Sequence, residues 1–365
     1  MKALVSKSHL LSRIASLALG RQVGFSGAAY QDVPKPIISP DEILVKVRAV
    51  ALNPTDFKHI DAIAWPGTII GCDFAGEVVE VGANATGSWS VGDRVAGAVH
   101  GGLYPDRGSF AEYLKTDADL AWKIPEGVSD AEATTFGISA CTAMHAINAR
   151  LGLPWADEAP KHNNPAGEAV KPTIFVYAGA TAAGLFTIQV AKAAGCTVVT
   201  TASPKSAGLV KSYGADAVFD YNEPLVGDTI AKQYRGITMG VDCFSEGKSF
   251  AICDAVLGSS GGTLITLLPP PKPKNTAIKH ELIMSYTLFG RPFHFLAPIG
   301  PKFPAMPNDR AALARFYAKL PELLNEGTLK PLPTSVRKNG WDGILEGLDD
   351  LRGGKNRGKK LVVEL

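Results

Sequence analysis

No apolar run in the chain approaches the ~20 residues a membrane-crossing helix needs. There is no CxxC pair, so a structural zinc site has no obvious ligands. A GxSxG nucleophile elbow and a P-loop are also missing, which sets aside serine-hydrolase and P-loop nucleotide chemistry. The formal net charge of +2 over 365 residues gives no electrostatic case for nucleic acid or an acidic membrane. The five cysteines (Cys72, Cys141, Cys196, Cys243, Cys253) are odd in number, scattered and mostly set in apolar runs. They read as buried reduced thiols of a cytoplasmic protein, not as a disulfide framework. No Asp or Glu precedes Asp32, whereas Lys2, Lys7, Arg13 and Arg21 do. The segment from His9 to Gln22 therefore has two readings, an amphipathic targeting helix or a variable connection after a first strand, MKALV. Its modest Arg and Ser content favours the second.

The chain itself is 46% hydrophobic and 20% charged, and long enough for two cores. Residues 41–53 alternate apolar and charged, as a half-exposed antiparallel strand would. Glycine-punctuated short strands follow through 71–124, the pattern of a small β-barrel. Helical patterning covers 130–135 and 139–151. Residues 154–172 hold four prolines and no periodicity, marking a linker or insertion.

From Thr173 the pattern changes. Strands at 173–178, 196–201, 217–221, 239–243 and 263–268 alternate with helices at 184–194, 205–213, 224–235 and 248–257. Apolar strands alternating with helices specify an α/β doubly wound parallel sheet. The first unit of that run, TIFVYAGATAAG, is a strand, a tight small-residue turn and a helix start. Such a turn presents backbone N–H groups to an anion, and small side chains permit close approach. Its glycines, Gly179 and Gly184, do not fit GxGxxG, so a purely structural strand–helix junction stays open at this point. Residues 269–307 carry nine of the 25 prolines. A strand for pairing two sheets edge to edge would fall there, and proline cannot join a ladder, so the chain is expected to be a monomer. Helices at 309–325 and 341–352 and a closing strand, KLVVEL, should return to the barrel. The expected domains are 1–160, 161–308 and 309–365, the first and last forming one discontinuous barrel domain.

The second strand of the parallel sheet ends near Ser203, 24 positions after Gly179. An acidic residue there would hold the ribose 2′-hydroxyl of NAD. Residues 196–215 contain none but do contain Ser203, Lys205, Ser206 and Lys211. Hydroxyl plus lysine suits a 2′-phosphate, so NADPH is the expected cofactor, with Tyr221 flanking its ribose. No metal is expected: Cys72 with His59 or His100 would be the only ligand candidates, and a lone cysteine among turn glycines is more often packing.

Asn53-Pro54-Thr55-Asp56, the GxDxAGxVxxVG run at 71–82, GDRV at 92–95, AGATAAG, Tyr213-Gly-Ala-Asp216 and Gly358-Lys-Lys-Leu-Val362 resemble the medium-chain dehydrogenase/reductase superfamily, zinc-free quinone-oxidoreductase branch. The match spans nearly the whole chain. Asn53 to Lys58, Gly137-Ile-Ser139, Leu151 to Pro154, Ala202-Ser-Pro204 and Leu288-Phe-Gly290 are similar to fungal trans-acting enoyl reductases, which serve polyketide synthases. Gly184 is more typical of the general branch, and 8–20 matches neither. The resemblance implies a GroES-like β-barrel catalytic domain, a Rossmann domain and an active site in the cleft between them.

It also implies residues. Thr55, Asp56, Phe57, Lys58, Ala180, Thr181, Ala182 and Ala183 would contact the cofactor. Ser203, Pro204, Lys205, Ser206 and Tyr221 would hold its adenosine end, and Leu267, Leu268, Leu361 and Val362 its nicotinamide end. Substrate would meet Ala140, Cys141, Thr142, Thr287, Leu288, Phe289 and Gly290. Hydride would reach the β-carbon of an enoyl thioester delivered by a synthase's acyl carrier protein. Lys58 is the first candidate to stabilise the enolate or supply the proton, Thr142 and Cys141 are weaker ones, and solvent is a third source. A free-standing quinone or alkenal reductase and a non-catalytic NADPH-binding protein are the alternatives.

Overall fold

A computed structural model describes residues 1–7, 27–159, 171–258, 260–272, 275–356 and 358–365. The candidate targeting stretch, most of the 154–172 connection, the expected 160/161 boundary and part of the proline run after Leu268 lie outside these. The chain divides into two units, Met1–Ile138 with Tyr286–Leu365, and Ser139–Ser285. This division differs from the expected 160 and 308, for reasons visible in the packing. Residues His145–Arg150 pack on the helix Ala182–Ala193 of the second unit. Residues from Tyr286 onward are held to the first unit: Arg291 pairs with Asp117 at 2.7 Å and Arg310 with Asp119 at 2.5 Å.

The first unit opens with an antiparallel pair, β1 (Lys2–Ser6) and β2 (Ala28–Asp32). Its main sheet holds β3 (Glu42–Ala51), β4 (Asp73–Val81), β5 (Arg94–Ala98), β6 (Tyr113–Asp117) and β7 (Ala121–Lys123). After the second unit, which carries strands β8 to β13, the chain adds a short hairpin of β14 (Phe293–His294) and β15 (Lys302–Phe303). It then returns β16 (Thr334–Arg337) and β17 (Lys360–Glu364) to the main sheet. The order there is β16-β17-β3-β4-β5-β7, with β6 also on β3. The closing strand is therefore where the sequence puts it: β17 pairs antiparallel with β3, Val362 opposite Ala51. β3 is more buried than its alternation suggests. A register shift between Val47 and Ala49 changes which face its side chains take. Ile43, Val45 and Val47 enter the main core before the shift and Val50 after it. Ala49 and Ala51 then meet Ala131 and Val362 in a second cluster. The bulge lets one strand serve two cores, and it leads directly into Asn53 and the short helix Pro54–Lys58.

The second unit is a six-stranded parallel sheet. Its strands are β8 (Thr173–Tyr177), β9 (Thr197–Thr201), β10 (Ala217–Phe219), β11 (Met239–Asp242), β12 (Gly262–Thr266) and β13 (Ile278–Leu282), in the order β10-β9-β8-β11-β12-β13. Every pairing is parallel. The first five strands fall where the sequence puts them. β13 is the addition, hidden in the proline-rich region; IKHEL itself contains no proline and can pair. The order reverses between β8 and β11, and open α/β sheets bind ligands beyond the carboxyl ends of strands at that point. No described helix is long and apolar enough to cross a membrane.

Candidate active site and cofactor turn

β8 runs into the small-residue turn at the switch point. Ala178 takes a left-handed conformation, φ 59°. The Thr181 hydroxyl donates to the Ala178 carbonyl at 2.9 Å and accepts from the Gly184 N–H at 3.0 Å, capping the helix Ala182–Ala193. Two glycines make this closeness possible. A Cβ at Gly179 would sit 2.2 Å from Thr200 Oγ1, and one at Gly184 would sit 2.4 Å from the Ala178 carbonyl oxygen. Among the described residues the amides of Ala180, Ala182 and Ala183 donate to no protein acceptor. The turn thus offers unspent donors at a helix's positive end.

Neighbouring strands end beside it. The Ala202 N–H donates to the Phe219 carbonyl at 3.0 Å, so the segments beginning at Ser203 and at Asp220 leave adjacent strands at the same end. Ser203 Oγ donates to Ser206 Oγ at 3.2 Å, and Pro204 and Lys205 are exposed. Tyr221 is half-buried beneath the Lys248 ammonium, 5.4 Å from its ring centre. Beyond β11, the buried Asp242 carboxylate accepts from the N–H groups of Phe244 and Ser245 and from the Ser249 hydroxyl. Burial raises its pKa despite these donors. The Ser245 hydroxyl accepts from the Leu267 N–H at 2.9 Å, fixing the half-buried Leu267–Leu268 segment after β12.

The first unit holds a buried polar cluster. Lys360 Nζ lies 2.5 Å from Asn53 Oδ1 and 3.2 Å from Asp73 Oδ2. Asn53 Nδ2 donates to the same carboxylate at 2.8 Å, and the Ile138 N–H donates to its other oxygen at 2.7 Å. The Asn53 N–H donates to Asp56 Oδ2 at 2.7 Å in a capping box that starts the helix Pro54–Lys58. The buried Cys72 thiol neighbours Asp56 and Tyr286. The Tyr286 hydroxyl shares a 2.5 Å hydrogen bond with the Thr55 hydroxyl, and His59 Nδ1 lies 2.8 Å from the Thr55 carbonyl oxygen. Tyr286 stacks on His100 with ring centres 3.6 Å apart. Burial and His59 push the His100 pKa well down, and burial and Cys72 push Tyr286 well up, so both are neutral at pH 7. His100 and Tyr286 line a pocket together with Phe289, Phe293, Tyr104 and Arg291.

Asp56 is pushed up to about 7, by burial first and by the Asp73 carboxylate second. Between about pH 4 and 7 the folded chain binds more protons there than the unfolded chain does. Stability from this group therefore falls as pH rises through that window, by up to ~1.4 kcal/mol per pH unit, and levels off above it. Asp56→Asn keeps an oxygen for the Asn53 N–H and should flatten that slope. Urea midpoints of the two proteins across pH 4–8 check this, and parallel curves would sink it.

Several expected site residues are packed away from solvent. The Asp56, Cys141, Leu288 and Val362 side chains are buried, so any ligand contact there runs through backbone atoms. Ala140 is buried too; Leu361 is 5% exposed. Thr142 is spent on Ser285, Oγ to Oγ 2.8 Å, and Thr287 donates to Asp309 at 2.5 Å. Neither is an obvious proton donor to substrate. Thr55, Phe57, Lys58, Phe289 and Gly290 are part-exposed. Phe57 packs under the Arg352 guanidinium, 5.0 Å from its ring centre. Among the described residues no group of three or more His, Cys, Asp or Glu could hold a metal ion.

Residues 39–126 match the alcohol dehydrogenase GroES-like domain family, and residues 182–291 match the zinc-binding dehydrogenase family. A trans-enoyl reductase of Aspergillus niger is 36% identical over 344 residues, covering 91% of this chain and 92% of that protein. One from Macrophomina phaseolina is 38% identical over 340 residues, covering 91% and 93%. The chain belongs to the trans-enoyl reductase family. Its fold is shared with the CurK enoyl reductase, at TM-score 0.72 and 18% identity over 100% of this chain and 99% of that one. A mycobacterial protein solved with NADPH has TM-score 0.70 and 22% identity, with both chains covered 100%. The fold of this trans-enoyl reductase is thus a GroES-like barrel with a Rossmann-type sheet, as the resemblance implied. Sequence reasoning missed Asp73, Lys360, Tyr286 and Lys248 in it. Asp73 and Lys360 stand inside the family motifs as an acid and a base with no assigned task. Nothing in the sequence brings them together from 287 positions apart.

Proposed function

We propose that this chain is an NADPH-dependent trans-acting enoyl reductase, reducing the α,β-double bond of thioesters on the carrier protein of a polyketide synthase. The observation that carries this reading is the identity to trans-enoyl reductases over 91% of the chain. A nicotinamide dinucleotide fits the residues present. The open amides of Ala180, Ala182 and Ala183 and the two close-approach glycines suit its pyrophosphate. Ser203 and Ser206, with Lys205 exposed and no carboxylate within 4 Å among the described residues, suit a 2′-phosphate and hence NADPH over NADH.

When bound, the cofactor supplies a hydride. The chain's own residues hold and polarise. The Asn53–Asp56 capping box and the Lys360–Asp73 pair fix the helix that presents Thr55 and Lys58. Lys58, half-buried, is the proposed cation beside the developing enolate oxygen. Phe289 with His100 and Tyr286 gives an apolar, aromatic surface for an acyl chain. In this reading the first unit carries the chemistry and the second binds the cofactor; the edge strand β13 removes the ground on which a monomer was expected.

The test is NADPH oxidation with a short enoyl-pantetheine thioester and, in parallel, a simple quinone. Thioester turnover with little quinone turnover is expected. Lys58→Met is expected to lower kcat by ~10²-fold, the range of one electrostatic contact in a transition state. Quinone turnover alone would overturn the substrate class, and silence on both with NADPH bound would overturn catalysis.

A further inference from the structure

We infer that Lys248 is a second cation for the cofactor's 2′-phosphate and sets the preference for a phosphorylated adenosine, acting with Lys205. This rests on the NADPH reading above and adds a residue to it.

Lys248 lies 27 positions beyond Tyr221 in sequence and on a different strand–helix unit. Packing brings them together. The helices Val226–Gln233 and Ser249–Leu257 lie side by side on one face of the sheet. Gly227 lets them approach closely: a Cβ there would sit 2.7 Å from the Ala255 Cβ. Gly227, at the amino end of the first, thus meets the carboxyl half of the second, and Lys248 immediately precedes the second helix. Its ammonium rests 5.4 Å above the Tyr221 ring centre and 3.4 Å from Asn222 Oδ1. An aromatic face and an amide oxygen orient a lysine without neutralising it.

Tyr221 in turn marks the phosphate corner. The parallel register sets Thr201 opposite Phe219, and the Ala202 N–H donates to the Phe219 carbonyl. Ser203–Ser206 and Tyr221 thus emerge from adjacent strands, which lie about 4.8 Å apart. Lys205 lies in the segment that leaves β9, and Lys248 sits over the Tyr221 ring. Among the described residues neither lysine has a carboxylate within 4 Å, although both are exposed. Lys248 also caps the start of a helix, where a cation is mildly unfavourable without an anion. One uncompensated cation on Tyr221, and a second in the adjacent segment that carries two serine hydroxyls, match the dianionic 2′-phosphate and have no counterpart in NADH. The sequence could not show this, because Lys248 stands outside any fingerprint spacing from Gly179.

The decisive measurement is calorimetric binding of 2′,5′-ADP and of 5′-AMP to the full-length protein, which isolates the phosphate from catalysis. Wild type should bind 2′,5′-ADP the more tightly. Lys248→Met should weaken 2′,5′-ADP about tenfold, the equivalent of ~1.4 kcal/mol, and leave 5′-AMP within about twofold. Lys248→Arg should keep the discrimination, and the KM ratio for NADH over NADPH should fall in Lys248→Met. Equal weakening of both ligands, or of neither, would overturn the role of Lys248 while leaving the NADPH reading intact. Wild type binding the two alike would overturn the NADPH reading itself, and this inference with it. Lys205→Met is the comparison: its 2′,5′-ADP loss should exceed that of Lys248→Met, and the double variant should bind the two nucleotides alike.

Discussion

Lys360→Met should lower the unfolding free energy by about 3–5 kcal/mol, the cost of breaking a buried ion pair by removing one partner. The Lys360 side chain is 4% exposed and that of Asp73 is 0%. Removing the ammonium leaves the Asp73 carboxylate with Asn53 Nδ2 and the Ile138 N–H, two neutral donors facing a full buried charge. It also leaves Asn53 Oδ1 without its lysine donor. A second consequence follows through Asn53, which caps the helix carrying Thr55 and Lys58: activity should fall beyond the loss of folded protein. Urea titration at pH 7 measures the first effect. Adding Asp73→Asn should recover part of it, because the uncompensated charge is then gone while an oxygen still faces Ile138. A Lys360→Met protein as stable as wild type would remove this pair from the account of the barrel.

Gly184→Ala should weaken NADPH binding on the order of 100-fold, about 2.7 kcal/mol. The new methyl would meet the Ala178 carbonyl oxygen at 2.4 Å and the Gly179 backbone at 2.8 and 2.9 Å. These are main-chain atoms, so nothing flexible can yield and the turn must open. Opening moves the amides of Ala180, Ala182 and Ala183 off the positions that the pyrophosphate needs. Gly208→Ala is the internal control. A methyl at Gly208 would meet no atom within 4 Å, and a helical alanine there is expected to be neutral or mildly stabilising. Fluorescence titration with NADPH separates the two. Wild-type affinity in Gly184→Ala would show that the turn does not cradle the pyrophosphate.

How far the site was legible varies with how local its chemistry is. The AGATAAG turn was legible because a strand, a small-residue turn and a helix are consecutive in sequence. The missing acid after the second strand was legible for the same reason. The prolines after Leu268 hide β13, whose five residues pair in the sheet just beyond them. Thr142 and Thr287 look available as hydroxyls in the sequence, and only the fold shows them bonded to Ser285 and Asp309. The family resemblance implies Asp56 as a cofactor contact, yet its carboxylate is turned inward to start the helix.

By itself the sequence determined the two architectures, the alternation of the first five parallel strands with helices, the return of the last strand to the barrel and the family. Each is written in local periodicity or in residues a few positions apart, where propensity and patterning act. Tertiary structure alone decided the Lys360–Asp73–Asn53 core, the Tyr286–Thr55 contact, the two faces served by β3 and the placing of Lys248 on Tyr221. All of these join residues far apart in the chain. Their energy comes from desolvation and from charge held out of water, and neither exists until distant segments have packed.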